Sequence, residues 1–369
     1  MQEFTGFEYL LIDAANQYGL DKENFESRLI WAKSNFDQLE LLIPDCPAKT
    51  RPAFEKAVQV IRKAVKGEAI GHRVGFDAIC SGMQLMSAMT NCLSGATATG
   101  LVEPDRRPNA YTEVADAMAH HLQGTQVIVD AADVKQAVMT SLYGSKAVPR
   151  RLFGDPDPEA PPTPELKAFY SALQDVAPGA SMLMDDLLSV WQPFALKHEW
   201  VLPDGHLASV KVMEKVSKRL RIDELNGSSF TYEWYENCGT ESGLSLVANV
   251  THSVDAYVLR SLVRRCMYDP SQLDYFYDRL LTELVRRELG GQQKTSFNPV
   301  RKETKELMTR FMETQVVDVL ILDYIKGNEI CLLDEHHITV LLRTIREMKR
   351  HAPFEIISVH DESTLGSAA

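Results

Sequence analysis

Two short apolar runs, His72-Arg73-Val74-Gly75-Phe76 and Phe354-Glu355-Ile356-Ile357, stand near opposite ends of a 369-residue chain whose periodicity is otherwise mostly helical. Each leads into an aspartate: Asp77 in VGFDAICSGMQ and Asp361 in SVHDEST. A short apolar strand needs neighbours for its backbone, so a sheet built from these runs gathers distant parts of the chain. Both aspartates can then project from one edge of one sheet. The chain reads as predominantly helical α+β.

The helical segments follow from spacing. FEYLLIDAANQYG, ENFESRLIWAKSNFDQLELLI and AFEKAVQVIRKAVKG fill residues 7 to 66 with apolar positions at helical intervals. Cys80 to Leu93 suits a buried helix, and Tyr111 to Leu122 and Ala132 to Leu142 read as two more. GDPDPEAPPTPE, with five prolines, is a loop by composition. Helices resume over 165 to 197. VSKRLRIDEL and SSFTYEWYE, joined by Asn226-Gly227, predict a hairpin with a type I′ turn. Residues 264 to 335 are charged and mostly helical, broken at GGQQKTSFNPV. Ile338, Leu341, Leu342, Ile345 and Met348 stripe a final helix before the last strand.

Bulk properties exclude several classes. No run of about 18 apolar residues exists, so no membrane-spanning helix is expected. The acidic N-terminus MQEFTG lacks the basic region of a signal peptide. Six cysteines form no C-x-x-C pair and fit reduced thiols. A net charge of −12 argues against coating nucleic acid by charge alone, while leaving room for a local basic surface or one on another chain.

Three segments could carry chemistry. Asp77 and Asp361 are either two unrelated turn acids or a pair able to hold two Mg²⁺ ions about 3.5–4 Å apart for in-line phosphoryl transfer. In DVKQAVMTSLYGSK, Lys135, Met139 and Tyr143 fall at i, i+4 and i+8 on one helical face, and Gly144 would end the helix or admit a close ligand. That helix is either an ordinary amphipathic one or the carrier of a lysine that neutralises triphosphate oxygens. The Asn226-Gly227 hairpin is either structural or a ribbon that fits a DNA major groove.

In this order, DAICSGMQLMSAM, KQAVMTSLYGSK and VHDEST resemble the three signature motifs of single-subunit, bacteriophage-type RNA polymerases. WVLPDGHLASVKVMEKVSKRLRI is similar to the segment opening that family's promoter-specificity hairpin, and ESGLSLVANVTHSVDAYVLR to the segment carrying its fingers-to-palm histidine. The resemblance implies a right-hand palm and fingers with a small antiparallel palm sheet. It implies Mg²⁺ bound by Asp77, Asp361 and the carbonyl of Ala78, with His360 supporting the metal-bearing turn. Lys135 would contact the triphosphate; Tyr143 and His252, with Met139, Gly144 and Gly82 around them, would receive the ribonucleotide. Family A DNA polymerases share this three-part palm. They usually place a glutamate where Gly82 stands and an aromatic residue where Met139 stands, so both positions favour ribonucleotides. A non-catalytic assembly protein would have no need of the full set.

The implied organisation is a helical palm-insertion-like module over 1–70 and palm with the first motif over 71–100. Fingers with the second motif follow over 101–252, including the specificity-type hairpin near 207–236. A palm return with a helical insertion covers 253–335, and the palm helix and third motif 336–369. The insertion, without a family counterpart, is either a partner-docking surface or a solvated decoration. The family's thumb, N-terminal domain and T/D-x-x-G-R motif have no place in this arrangement. That pattern resembles the heterodimeric middle-transcription polymerases of N-four-like bacteriophages, whose large subunit carries the three motifs while a second subunit supplies the rest. DNA template, RNA product, nucleoside triphosphates and phage accessory factors would be the other partners, in the cytoplasm of an infected bacterium, with no membrane. Ala131 stands where the family has an arginine and Gln136 where it often has a base, so Arg150 or Arg151 are the substitutes to consider.

Overall fold

The computed structural model describes residues 4–103, 108–124, 129–155, 157, 160–239, 243–293, 302–314, 320–321, 329–350, 352–359 and 362–366. They divide into two compact units. One comprises Lys22–Ser27 and Ala78–Ala256; the other comprises Phe4–Asp21, Arg28–Asp77 and the chain from Tyr257 onward.

The second unit opens with α1 (Gly6–Ala15), which starts at a capping box. The Thr5 hydroxyl accepts from the Glu8 N–H at 3.3 Å, and the Glu8 carboxylate accepts from the Thr5 N–H at 3.0 Å. These bonds, first that from the Thr5 backbone and then that from Lys33, pull the Glu8 carboxyl down to about 2. Leu10 through Ala15 are all buried, because α1 packs on α3 (Arg51–Val65) through Phe54, Val58 and Ile61. Between them, α2 (Phe25–Ser34) is a short helix.

This unit also contains a three-stranded antiparallel sheet of β1 (Arg73–Asp77), β6 (Ile356–Val359) and β7 (Glu362–Gly366), in the order β1-β7-β6. The apolar run ending at Ile357 was expected to be the last strand. A further strand follows it and lies between the other two. After Asp361 the sequence ESTLG offers one strong apolar residue and no alternation, so its strand character comes from backbone pairing on both edges.

Beyond α11 (Leu244–Cys266), α12 (Pro270–Glu288), α13 (Lys302–Thr314) and α14 (Glu335–Met348) build one core. Leu273, Phe276, Leu280, Leu307, Met308 and Phe311 pack with the stripe Ile338, Leu341, Leu342 and Ile345. The stretch 264–335 is therefore no solvated decoration: α12 and α13 form the wall against which α14 packs. Glu283 holds Arg286 and Arg287 at 2.7 and 2.8 Å, and Arg287 donates to the carbonyls of Cys331 and Leu333.

In the first unit, α4 (Ser81–Met89) and α5 (Leu93–Ala98) replace the single helix expected over 80–93. Asn91, at φ 53°, breaks them. With α6 (Ala110–His121), α7 (Ala131–Ser141), α8 (Ala147–Phe153), α9 (Pro164–Val176) and α10 (Pro178–Ser189), they enclose Met83, Met86, Val114, Met118, Val134, Val138, Phe169 and Leu173. Helix ends at Ser189 rather than 197. The chain then forms a hairpin absent from the sequence reading, β2 (Lys197–Val201) with β3 (Leu207–Lys211). Pro203-Asp204-Gly205 at its turn was the available signal.

The second hairpin, β4 (Glu214–Ile222) with β5 (Ser228–Glu236), is in register over nine pairs from Glu214↔Glu236 to Ile222↔Ser228. Its turn is longer than the expected two-residue type I′. A 3₁₀ turn over Asp223–Leu225 precedes Asn226 and Gly227, both left-handed at φ 51° and 73°.

Candidate active site

Strand β1 carries Asp77 to the end of the three-stranded sheet. The antiparallel register places Asp77 opposite Glu362 and Arg73 opposite Gly366. On the other side of β7, Val359 also faces Glu362, so β6 and β7 form a hairpin whose connection contains His360 and Asp361. Those two residues lie outside the described ones, and the side chain of Asp77 is likewise not described. The sequence nevertheless joins Asp361 by one peptide bond to the residue paired with Asp77. Glu362 stood beside Asp361 in the sequence motif but was given no role there. Asp77 and Glu362 are thus paired at two adjoining strand ends, with Asp361 next to Glu362 in sequence, and hard oxygen donors of this kind fit Mg²⁺. Among the described residues no cluster of three or more metal-binding side chains occurs.

Within the first unit, the second-motif helix ends where expected, with Gly144 closing it. The Ser145 N–H donates to the Thr140 carbonyl at 3.1 Å and the Gly144 N–H to the Ser141 carbonyl at 2.8 Å, the paired bonds of a Schellman turn. Gly144 takes φ +86°, and a Cβ on it would lie 2.8 Å from Leu244 Cδ2. The left-handed backbone and the close approach of Leu244 both favour glycine at this position. Tyr143 therefore lies in the closing turn, past the regular helix that carries Lys135 and Met139.

Tyr143, Gly82 and His252 meet. The Tyr143 ring stacks on His252 with centroids 4.9 Å apart and planes 8° from parallel. A Cβ built on Gly82 would sit 3.0 Å from the Tyr143 hydroxyl and 3.3 Å from its Cζ. α11 makes this possible because Leu244 and His252 are two helical turns apart on one face, meeting Gly144 and Tyr143 respectively. His252 is exposed and Tyr143 half-buried. Three segments remote in sequence thus meet to form an aromatic shelf.

Lys135 is exposed, and its ammonium lies 5.4 Å from the centroid of the Tyr111 ring. That distance is within cation–π range. Met139, one turn on, is 48% exposed, so this face of α7 is only partly covered. Arg150 is engaged: it donates to the carbonyls of Asp157 and Ala160 and so ties down the proline-rich loop. Arg151 is exposed, and Ala78, whose carbonyl was assigned to a metal, is exposed as well.

The β4–β5 hairpin has two unlike faces. Lys215 opposite Tyr235, Arg219 opposite Thr231 and Arg221 opposite Ser229 alternate with Val216 opposite Trp234, Lys218 opposite Tyr232 and Leu220 opposite Phe230. Tyr232 and Trp234 stack at 4.8 Å, and Lys211 reaches the Tyr235 ring at 4.3 Å.

Comparison with known proteins points to a polymerase family. A family model for DNA-dependent RNA polymerase matches residues 2–152, the stretch holding Asp77, Gly82, Lys135 and Tyr143. The DNA-directed RNA polymerase of Pseudomonas phage phiKMV is 23% identical over 327 residues, covering 75% of this chain and 40% of that protein. The mitochondrial DNA-directed RNA polymerase 1 of Arabidopsis thaliana is 27% identical over 172 residues, covering 38% of this chain and 18% of its own length. The chain thus spans less than half the length of either relative. No helix among the described residues is long and apolar enough to cross a membrane.

Proposed function

We propose that this chain is the catalytic subunit of a DNA-dependent RNA polymerase of the bacteriophage type, extending an RNA 3′ end with templated ribonucleotides. The observation that carries the reading is the β1–β7 register, which sets Asp77 across from the residue that follows Asp361. Two Mg²⁺ ions, when bound, would lower the barrier to attack of the 3′-hydroxyl on the α-phosphate and neutralise the departing pyrophosphate. Asp77 and Asp361, with the Ala78 carbonyl, would hold them, and His360 would support the turn.

The remaining work falls to side chains of the first unit. Lys135 would place its ammonium against triphosphate oxygens, where charge builds on the leaving group. The Tyr143–His252 shelf would receive the nucleotide, and Gly82 brings no side chain against the Tyr143 hydroxyl. Gly82 and Met139 replace the glutamate and aromatic residue of the DNA-polymerising relatives, which supports ribonucleotide use. The basic edge of the β4–β5 hairpin, Lys215, Arg219 and Arg221, suits a DNA backbone beside the major groove. The palm, fingers and specificity-hairpin assignments, a second subunit supplying thumb and G-R motif, and a middle-transcription role in an infected bacterium complete the proposal.

The test is templated RNA synthesis by the full chain with its partner subunit on a primed single-stranded template. Synthesis should require Mg²⁺, and Asp361→Ala should abolish it while assembly persists. Near-normal synthesis by that variant would sink the assignment. Vigorous processive synthesis by the isolated chain would instead remove the second subunit.

A further inference from the structure

We infer that Asp13, His72 and Tyr9 are positioning residues for Asp77: helix α1 holds strand β1 at two points and so sets where its metal-bearing end lies. The inference rests on the metal role proposed above for Asp77. β1 is an outer strand in the order β1-β7-β6, so sheet hydrogen bonds constrain it along one edge. A second constraint has to come from whatever packs on its face, and in this unit α1 does so.

The first point of hold is polar and deep. His72 Nε2 and Asp13 Oδ2 are 2.8 Å apart, with the residues only 8% and 4% exposed. The other carboxylate oxygen of Asp13 accepts from Gln17 Nε2 at 3.2 Å. Around Asp13, α1 buries Leu10, Leu11, Ile12, Ala14 and Ala15. The second point is aromatic. Tyr9, one helical turn before Asp13, sets its ring edge-to-face on Phe76 at 5.3 Å and 78°. Phe76 is the immediate neighbour of Asp77. His72, Val74 and Phe76 alternate along the chain and therefore share one face, with Val74 also buried. The strand is pinned at its entry by a directional contact and beside Asp77 by a ring.

Apolar burial alone would hold the strand to the helix without fixing its position, since that attraction has no direction. A hydrogen bond tolerates only a few tenths of an ångström. Buried polar pairs seldom add net stability over apolar replacements of similar size, so location is the more economical account of this hydrogen bond.

The experiment measures Mn²⁺ binding to the full chain by electron paramagnetic resonance, alongside thermal unfolding. The wild type should bind Mn²⁺ and Asp77→Asn should lose it. The pair Asp13→Leu with His72→Leu should unfold within a few degrees of wild type yet bind Mn²⁺ at least about tenfold more weakly, the cost typical of losing a supporting partner of a ligand. His72→Gln keeps a donor near the Nε2 position and should stay within about twofold of wild type. An unchanged affinity in the folded double-leucine chain, with Asp77→Asn defective, overturns the positioning role. Should the double variant fail to fold, Tyr9→Leu against Tyr9→Phe decides: only the leucine should weaken Mn²⁺ binding, and equal affinities overturn the inference. Absence of Mn²⁺ binding in the wild type, or no loss in Asp77→Asn, removes the metal role itself.

Discussion

Replacing Gly82 by alanine probes the aromatic shelf with a single methyl. The new Cβ would stand 3.0 Å from the Tyr143 hydroxyl, 3.3 Å from Cζ and 3.7 Å from Cε1, so the ring must retreat by a few tenths of an ångström. Any retreat disturbs the stack with His252, whose ring centroid lies 4.9 Å from that of Tyr143. Overpacking of this kind costs about 1–3 kcal/mol. Loss of the stacked pair forfeits roughly 0.5–1.5 kcal/mol within that range. Alanine in place of glycine near the start of α4 returns up to about 1 kcal/mol through helix propensity. The net change in stability is therefore small, between about zero and 2 kcal/mol of loss. The shelf, in contrast, is directly displaced. Gly82→Ala should leave the unfolding temperature within a few degrees of wild type while shifting the Tyr143 and His252 ring resonances in NMR. In templated synthesis it should raise the KM for ribonucleotides. Adding Tyr143→Phe removes the atom nearest the new methyl and should restore the His252 ring signals. If Gly82→Ala simply gains the full helical stabilisation and moves neither ring, the close contact is not real and the shelf argument fails. A glutamate at 82 begins with the same Cβ, so its effect on sugar preference would act first through Tyr143.

Three further outcomes follow from the packing. Gly144→Ala combines a left-handed backbone with a 2.8 Å approach to Leu244, and should destabilise the chain by about 1–3 kcal/mol in urea unfolding. Glu283→Ala leaves Arg287, itself 9% exposed, without its carboxylate and should cost about 3 kcal/mol by the same measurement, with Glu283→Gln in between. Hydrogen bonds from Arg286, then from Arg287, hold the Glu283 carboxyl down to about 2. A depressed carboxylate contributes stability above its unfolded value near 4.5 and loses it as pH falls toward 2. Wild type should therefore lose more stability than Glu283→Gln between about pH 5 and pH 2, and parallel curves would contradict the assignment.

Much of this architecture was legible from spacing alone. The stripe from Ile338 to Ile345, the proline-rich loop and the left-handed Asn226-Gly227 pair are local in origin: periodicity and backbone preference act over a few residues. Asp77, Lys135 and Tyr143 became candidates as a set because their order resembles a known family, while residue chemistry by itself left each open. Strand β7 was not legible, since ESTLG becomes a strand only by pairing with β6 on one edge and β1 on the other. The hairpin β2–β3 was missed despite a turn signal, and the core between α12, α13 and α14 was not legible because surface charge hid their buried faces.

By itself the sequence determined which segments are helices, where turns break them, and which carboxylates, lysine and tyrosine are candidates for chemistry. Only the tertiary structure decided that Asp77 pairs with Glu362, that Tyr143 meets both His252 and Gly82, and that Gly144 lies against Leu244. The reason is one of range. Helical periodicity is written within a single turn, whereas register between strands and contact between rings depend on side chains remote in the chain filling the same space.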